Sequence, residues 1–449
     1  MNQKQISPLL VTAVAAVVVL IALFAGWYIL SGSRDLLEDV SFSKTEITPN
    51  ADGLDDAATI HYEITKNATV SIFFENESGE RHYFRQDEAR GVGKYSVNFS
   101  GIVDGYRLPG EEIAGEILAR LLQDGPYTWT ITASAENGES QTATGTLIIA
   151  EADTELPEIR NFSLDKTIFS PNQDGINDRV RIQFFLPKEV AQSRVFLIGP
   201  EGAELPIAEQ ELLTPANEPG RHAFDYEGGV DNNAAPPPDG TYPVIAVVED
   251  AEGQRIRAEQ SLTIEFGGVP RADIISPPTG DTIRFSATAV ALCDTITVEM
   301  TIENYGVTPI RTTGPEPGTV YDSDWNYNTL GWQTESGAWR AAIGYENEIT
   351  NYPYRWAVGT ADELEKIGDY YYLMPGQRVV VTGAIRVVGP FGERNPQPMW
   401  AGLIHEDVEI SAVNTHVNPH SVLVDIPDEA HITPCEPREI PVVDVSTDQ

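Results

Sequence analysis

At 449 residues the chain is too long for one β-sandwich core and has room for about three domains. Its 41% hydrophobic and 22% charged residues are ordinary globular material, which excludes wholesale disorder. With 29 basic against 68 acidic residues the formal charge is −39, and such a surface repels phosphate backbones, so nucleic acid is excluded as a partner.

The first element is an uncharged apolar run over residues 8–30. As a helix it would cover roughly 35 Å, enough to cross a bilayer and longer than the core of a cleaved signal peptide. Lys4 precedes it, whereas Asp35, Glu38 and Asp39 outnumber Arg34 after it, which puts the amino end in the cytoplasm. The expectation is a cytoplasmic stub and transmembrane anchor over 1–33, with everything beyond it extracytoplasmic.

Next comes a repeat. Thr48-Pro-Asn-Ala-Asp-Gly-Leu-Asp-Asp56 returns as Ser170-Pro-Asn-Gln-Asp-Gly-Ile-Asn-Asp178, and each leads into an alternating strand, Ala58–Ile64 or Val180–Leu186. Further along, Asp124-Gly-Pro-Tyr127 answers Asp239-Gly-Thr-Tyr242. Short period-two strands separated by Gly, Pro, Asn and Asp turns predict antiparallel β-sandwiches over 40–150 and 155–267. One stretch departs from that period. Ile113, Ile117, Leu121 and Leu122 recur at helical spacing and predict a helical insert in the first copy, packed on its own sandwich.

The 170–178 and 48–56 segments, with Pro238 to Tyr242, resemble the Ig-like domain that ends flagellar hook-capping proteins and related bacterial surface modules with an "SPNxDGxND" opening. The resemblance covers roughly residues 40–267. It implies immunoglobulin-like sandwiches that serve as spacers, anchors or attachment devices, and leaves the function open.

Beyond residue 270 the repeat is lost, but β patterning returns in Ile296–Gly306 and Gln377–Val388. A strand ending in Asn304-Tyr-Gly306 and a later Pro375-Gly376 before a Val-rich strand look like Ig-like domains of cell-surface and adhesion-associated proteins. Between them lies an aromatic-rich insert. Trp325, Trp332, Trp339 and Tyr327 are candidate ligand contacts, because rigid aromatic rings give large contact area, and they are equally what a large loop needs to fold on itself. The third domain is expected over 270–432 and a flexible acidic tail over 433–449.

Two sets of residues invite metal chemistry. Asn172, Asp174 and Asp178, and likewise Asn50, Asp52 and Asp56, place oxygens at alternating positions around a glycine, as calcium loops do; they are also ordinary turn residues and lack a closing bidentate Glu. His405, Glu406, His416 and His420 lie close in sequence, but Pro419 and β-branched neighbours put the last two on a strand or loop, and the set reads as surface histidines. Cys293 and Cys435 lack the close spacing of zinc or dithiol motifs; outside the cytoplasm the pair is expected to form one disulfide tying the tail to the third domain.

No Gly-x-Ser-x-Gly, phosphate loop or His-Glu-x-x-His occurs, so the reading is non-catalytic. The expected molecule is all-β, with tandem immunoglobulin-like sandwiches after one N-terminal transmembrane helix. It is held to the membrane by residues 8–30 and acts as a spacer that presents its last domain to a surface glycan or protein partner. The alternatives are a structural subunit of an envelope or appendage assembly, in contact with copies of itself or with a secretion or motility apparatus, and an enzyme in which the sandwiches are accessory modules.

Overall fold

The computed structural model describes residues 16–23, 34–210, 214–232, 234–427 and 434–440. Residues 16–23 are helical, and no helix among the described residues is long and apolar enough to cross a membrane. The rest of the expected anchor, 8–15 and 24–30, lies outside the described residues.

From Leu36 onward the chain is built of strands around three hydrophobic cores, arranged in chain order. The first repeat packs a three-stranded sheet (Leu37–Phe42, Ala58–Ile64, Gly93–Phe99) on a five-stranded one that includes Ala68–Glu75, Gly125–Ala135 and Ser140–Ile149. Alternation does the sorting. Ala58, Ile60, Tyr62 and Ile64 from one sheet meet Val70, Ile72 and Phe74 from the other, and all are buried. The second repeat reproduces the scheme with Arg160–Leu164, Val180–Leu186 and Gly220–Tyr226 against Gln192–Ile198, Gly240–Glu249 and Arg255–Ile264. The registers match too, with Ala58 opposite Phe99 in the first copy and Val180 opposite Tyr226 in the second.

The helical insert is overturned. Residues 102–121 form a hairpin of two strands, Ile102–Asp104 and Glu116–Leu121. The second of these pairs with Arg255–Arg257 of the following repeat and so extends the neighbour's sheet. Ile117, Ala119 and Leu121 alternate inward, and Ile117 enters the second core rather than the first. The helical spacing was outcompeted because an open sheet edge offers both backbone partners and a place to bury every second side chain.

In the third unit, Thr295–Asn304 and Arg378–Arg386 form the centre of a sheet that faces a larger one built on Trp339–Tyr345, Gln397–His405 and Val417–Asp425. Cys293 and Cys435 are joined by a disulfide with Cα atoms 5.4 Å apart. The described part of the tail is mostly exposed but tied to the domain at several points. Arg386 Nη1 donates to Glu436 O at 3.0 Å, and the Arg438 guanidinium lies 5.7 Å from the Trp325 ring centre.

Candidate functional site

The two oxygen-rich loops share a backbone layout and differ in how the last aspartate is bonded. In the first, Asp56 accepts the amides of Asn50 and Ala51 on one oxygen and that of Gly53 on the other, while Asp52 accepts from Leu54. In the second, Asp178 accepts from Gly175 at 2.6 Å and Asp174 from Ile176 at 2.8 Å. Most of these oxygens are bonded within the loop or to Tyr372, whereas Asp178 Oδ1 is buried without a partner. Among the described residues no group of three or more His, Cys, Asp or Glu side chains converges as a metal site.

What the second loop does instead is dock into the third domain. Arg311, which is 1% exposed, donates from Nε to the main-chain oxygen of Asp174 at 2.6 Å and from Nη2 to Ser336 O at 2.6 Å, and it pairs with Glu335. Tyr372 donates its hydroxyl to Asp174 Oδ2 at 3.1 Å, and His405 Nε2 donates to Gln173 O at 2.7 Å. The backbones approach so closely that a Cβ on Gly175 would stand 2.3 Å from Ser336 O, and one on Gly337 would stand 2.1 Å from the Asp174 carbonyl carbon. Both glycines also hold φ near +80°, where a side chain is strained.

Burial at this junction shifts its titratable groups. Desolvation, helped by neighbouring Asp174, pushes the Asp178 carboxyl up to about 6, and burial also raises Asp174. Desolvation pushes the buried His405 imidazole down to about 4, so it sits neutral against Trp339, with ring centres 4.4 Å apart. His405 is therefore a junction residue, not a surface histidine. His416 stacks on Trp400 and His420 packs near Phe285.

The aromatic insert is mostly spent on packing. Trp339 and Tyr327 are 5% and 7% exposed, and Tyr321, Tyr354 and Trp356 are fully buried. Strand Trp339–Tyr345 is covered on both faces: Ala341 and Ile343 join the main core, while Ala342 faces a second layer with Tyr352 and Ile404. That layer carries buried ions. Glu406 Oε1 accepts from Arg340 at 3.2 Å and Arg355 at 2.8 Å, with Arg355 stacked 4.1 Å from the Tyr327 ring centre. Trp325 and Trp332 are partly exposed, as is Trp400, which sequence reasoning missed because it lies on the later strand Gln397–His405, outside the aromatic-dense stretch.

No family model matches the chain, and no curated protein matches it. Solved structures are similar at low identity. They include native E. coli alpha-2-macroglobulin (10% identity over 88% of this chain and 23% of that one, TM-score 0.20). Another is a tetra-tandem repeat from the extending region of a large adhesion protein (12%, 86% and 90%, TM-score 0.18). A third is a calcium-stabilised adhesin with which an Antarctic bacterium binds ice (11%, 78% and 73%, TM-score 0.21). The chain thus spans about a quarter of the macroglobulin it resembles.

Proposed function

We propose that this chain is a membrane-anchored, extracytoplasmic, non-catalytic spacer that presents its third domain to a surface glycan or protein partner. The observation that carries the reading is the construction of the two junctions. A shared sheet joins the first unit to the second, and a buried loop joins the second to the third, so consecutive sandwiches are coupled directly rather than strung on flexible linkers. Coupling of this kind gives reach. The immunoglobulin-like resemblance of residues 40–267 agrees with such a use, and the apolar run over 8–30 supplies the anchor. Trp325, Trp332 and Trp400 are the partly exposed tryptophans through which the third domain would make contact.

The test is to express the full chain, wash its membranes with alkaline carbonate, and treat intact cells with protease. Retention in the membrane pellet with the 34–449 region cleaved from outside is the expected result; release into the wash, or full protection, would overturn the reading. Binding of the detergent-solubilised chain to immobilised glycans, with and without Trp325→Ala, Trp332→Ala and Trp400→Ala, then addresses the partner.

A further inference from the structure

We propose that the loop 48–56 is a second docking plug, preformed for a separate folded domain that presents a socket like the one in this chain's third domain. The two loops have the same backbone. Thr48 N bonds Asp55 O as Ser170 N bonds Asn177 O, each at 3.0 Å, and Asn50 N bonds Thr48 O as Asn172 N bonds Ser170 O. Left-handed residues fall at the same places: Ala51 and Gln173 (φ +60° and +58°), Gly53 and Gly175 (+85° and +82°), Asp55 and Asn177 (+56° and +55°).

The socket reads few features of the docked loop. Arg311 takes the main-chain oxygen of Asp174, His405 that of Gln173, Tyr372 the Asp174 carboxylate, and Gly175 gives the backbone clearance. Each has a counterpart in the first loop: the main-chain oxygens of Asp52 and Ala51, the Asp52 carboxylate, and Gly53. The difference is occupancy. Asn172 and Asp174 are 1% and 3% exposed, whereas residues 51–55 are all exposed, Leu54 to 70%, and a Cβ on Gly53 would meet nothing within 4 Å. The first junction is made by the 102–121 hairpin instead, which leaves this plug without a socket among the described residues. Its partner is accordingly a domain offering a guanidinium, a phenol and a neutral imidazole from a concave face, matched to an acidic loop whose recognition runs mostly through backbone oxygens.

The reading goes beyond the anchor and the distal ligand and does not depend on either. It is tested with two populations of the full chain in detergent. One carries a fluorophore at Leu54→Cys, the native cysteines being paired with each other. The other has its own plug ejected by Gly175→Val, or independently by Asp174→Lys, which sets a cation against Arg311; faster hydrogen exchange at 335–337 and 405 reports the opened socket. Expected is a saturable change in the label with either opened chain, little with the unaltered chain, and affinity weaker by about tenfold or more when the opened chain also carries Arg311→Ala. No change from either chain with an opened socket, a change that survives Arg311→Ala, or equal binding by the unaltered chain would each overturn the proposal.

Discussion

At the scale of single residues the junction between the second and third domains holds two titrations of opposite sign. Asp178 has a carboxyl pKa raised to about 6, so its burial destabilises the docked state above that pH and the cost is relieved as pH falls toward the unfolded value of about 4. His405 is depressed to about 4, so the docked state loses stability as pH falls through the unfolded value of about 6.5. Each contributes on the order of 3 kcal/mol across nearly the same span, so in the native chain they largely offset one another. Thermal melts at pH 7 and pH 5 separate them: Asp178→Asn should make the protein more acid-labile than the native chain, and His405→Gln more acid-stable. If both variants keep the native pH profile, the buried positions of these groups are wrong. The ion cluster beside them behaves differently, because Glu406 is the shared acceptor of Arg340 and Arg355 at nearly complete burial. Glu406→Gln leaves two buried guanidinium groups short of their counter-charge and should cost about 3–5 kcal/mol by denaturant unfolding, far more than loss of a surface pair such as Arg284–Glu299.

At the scale of elements the 102–121 hairpin is the part whose position says most about how the molecule works. It leaves the first sandwich, adds its strand Glu116–Leu121 to the second, and places Ile117 among Val180, Ile256 and other side chains of a core to which it does not belong by sequence. Leu121 N also donates to Gln254 Oε1, and Gln254 in turn donates to the carbonyls of Asp153 and Glu155, so the turn at 250–254 grips both the hairpin and the interdomain segment. Ile117→Asp should therefore raise hydrogen exchange at Arg255–Arg257 more than anywhere in the first core, and destabilise by about 3 kcal/mol through lost burial and an unpaired charge. Exchange that rises equally in both cores would mean that the hairpin belongs to the first sandwich after all.

At the scale of the whole molecule, direct coupling at both junctions makes the orientation of one unit depend on the next, which suits a spacer better than a set of independent modules. The strong net negative charge makes the surface repel other anionic surfaces, an effect that salt screens. The tail adds one more tie, because the Cys293–Cys435 bond and the Arg438 contacts with Val320 and Asp322 hold residues 434–440 on the third domain.

The all-β class and the sandwich repeats were legible in the sequence, because period-two alternation and turn chemistry are local rules that each strand states for itself. The alternation of Ala58, Ile60, Tyr62 and Ile64 needs no neighbour to be read. Legible, too, were the loops 48–56 and 170–178 as matched structures, with left-handed residues at the same places in both. What only the tertiary structure decided were matters of partnership: that the second loop is a plug, that His405 and Glu406 are buried, that Tyr327 and Trp339 are packing residues, and that the insert is a strand of the neighbouring sheet. In each case the same local segment is compatible with two environments, and the choice between them depends on an open edge, a socket or a covering layer contributed by residues far away in the chain.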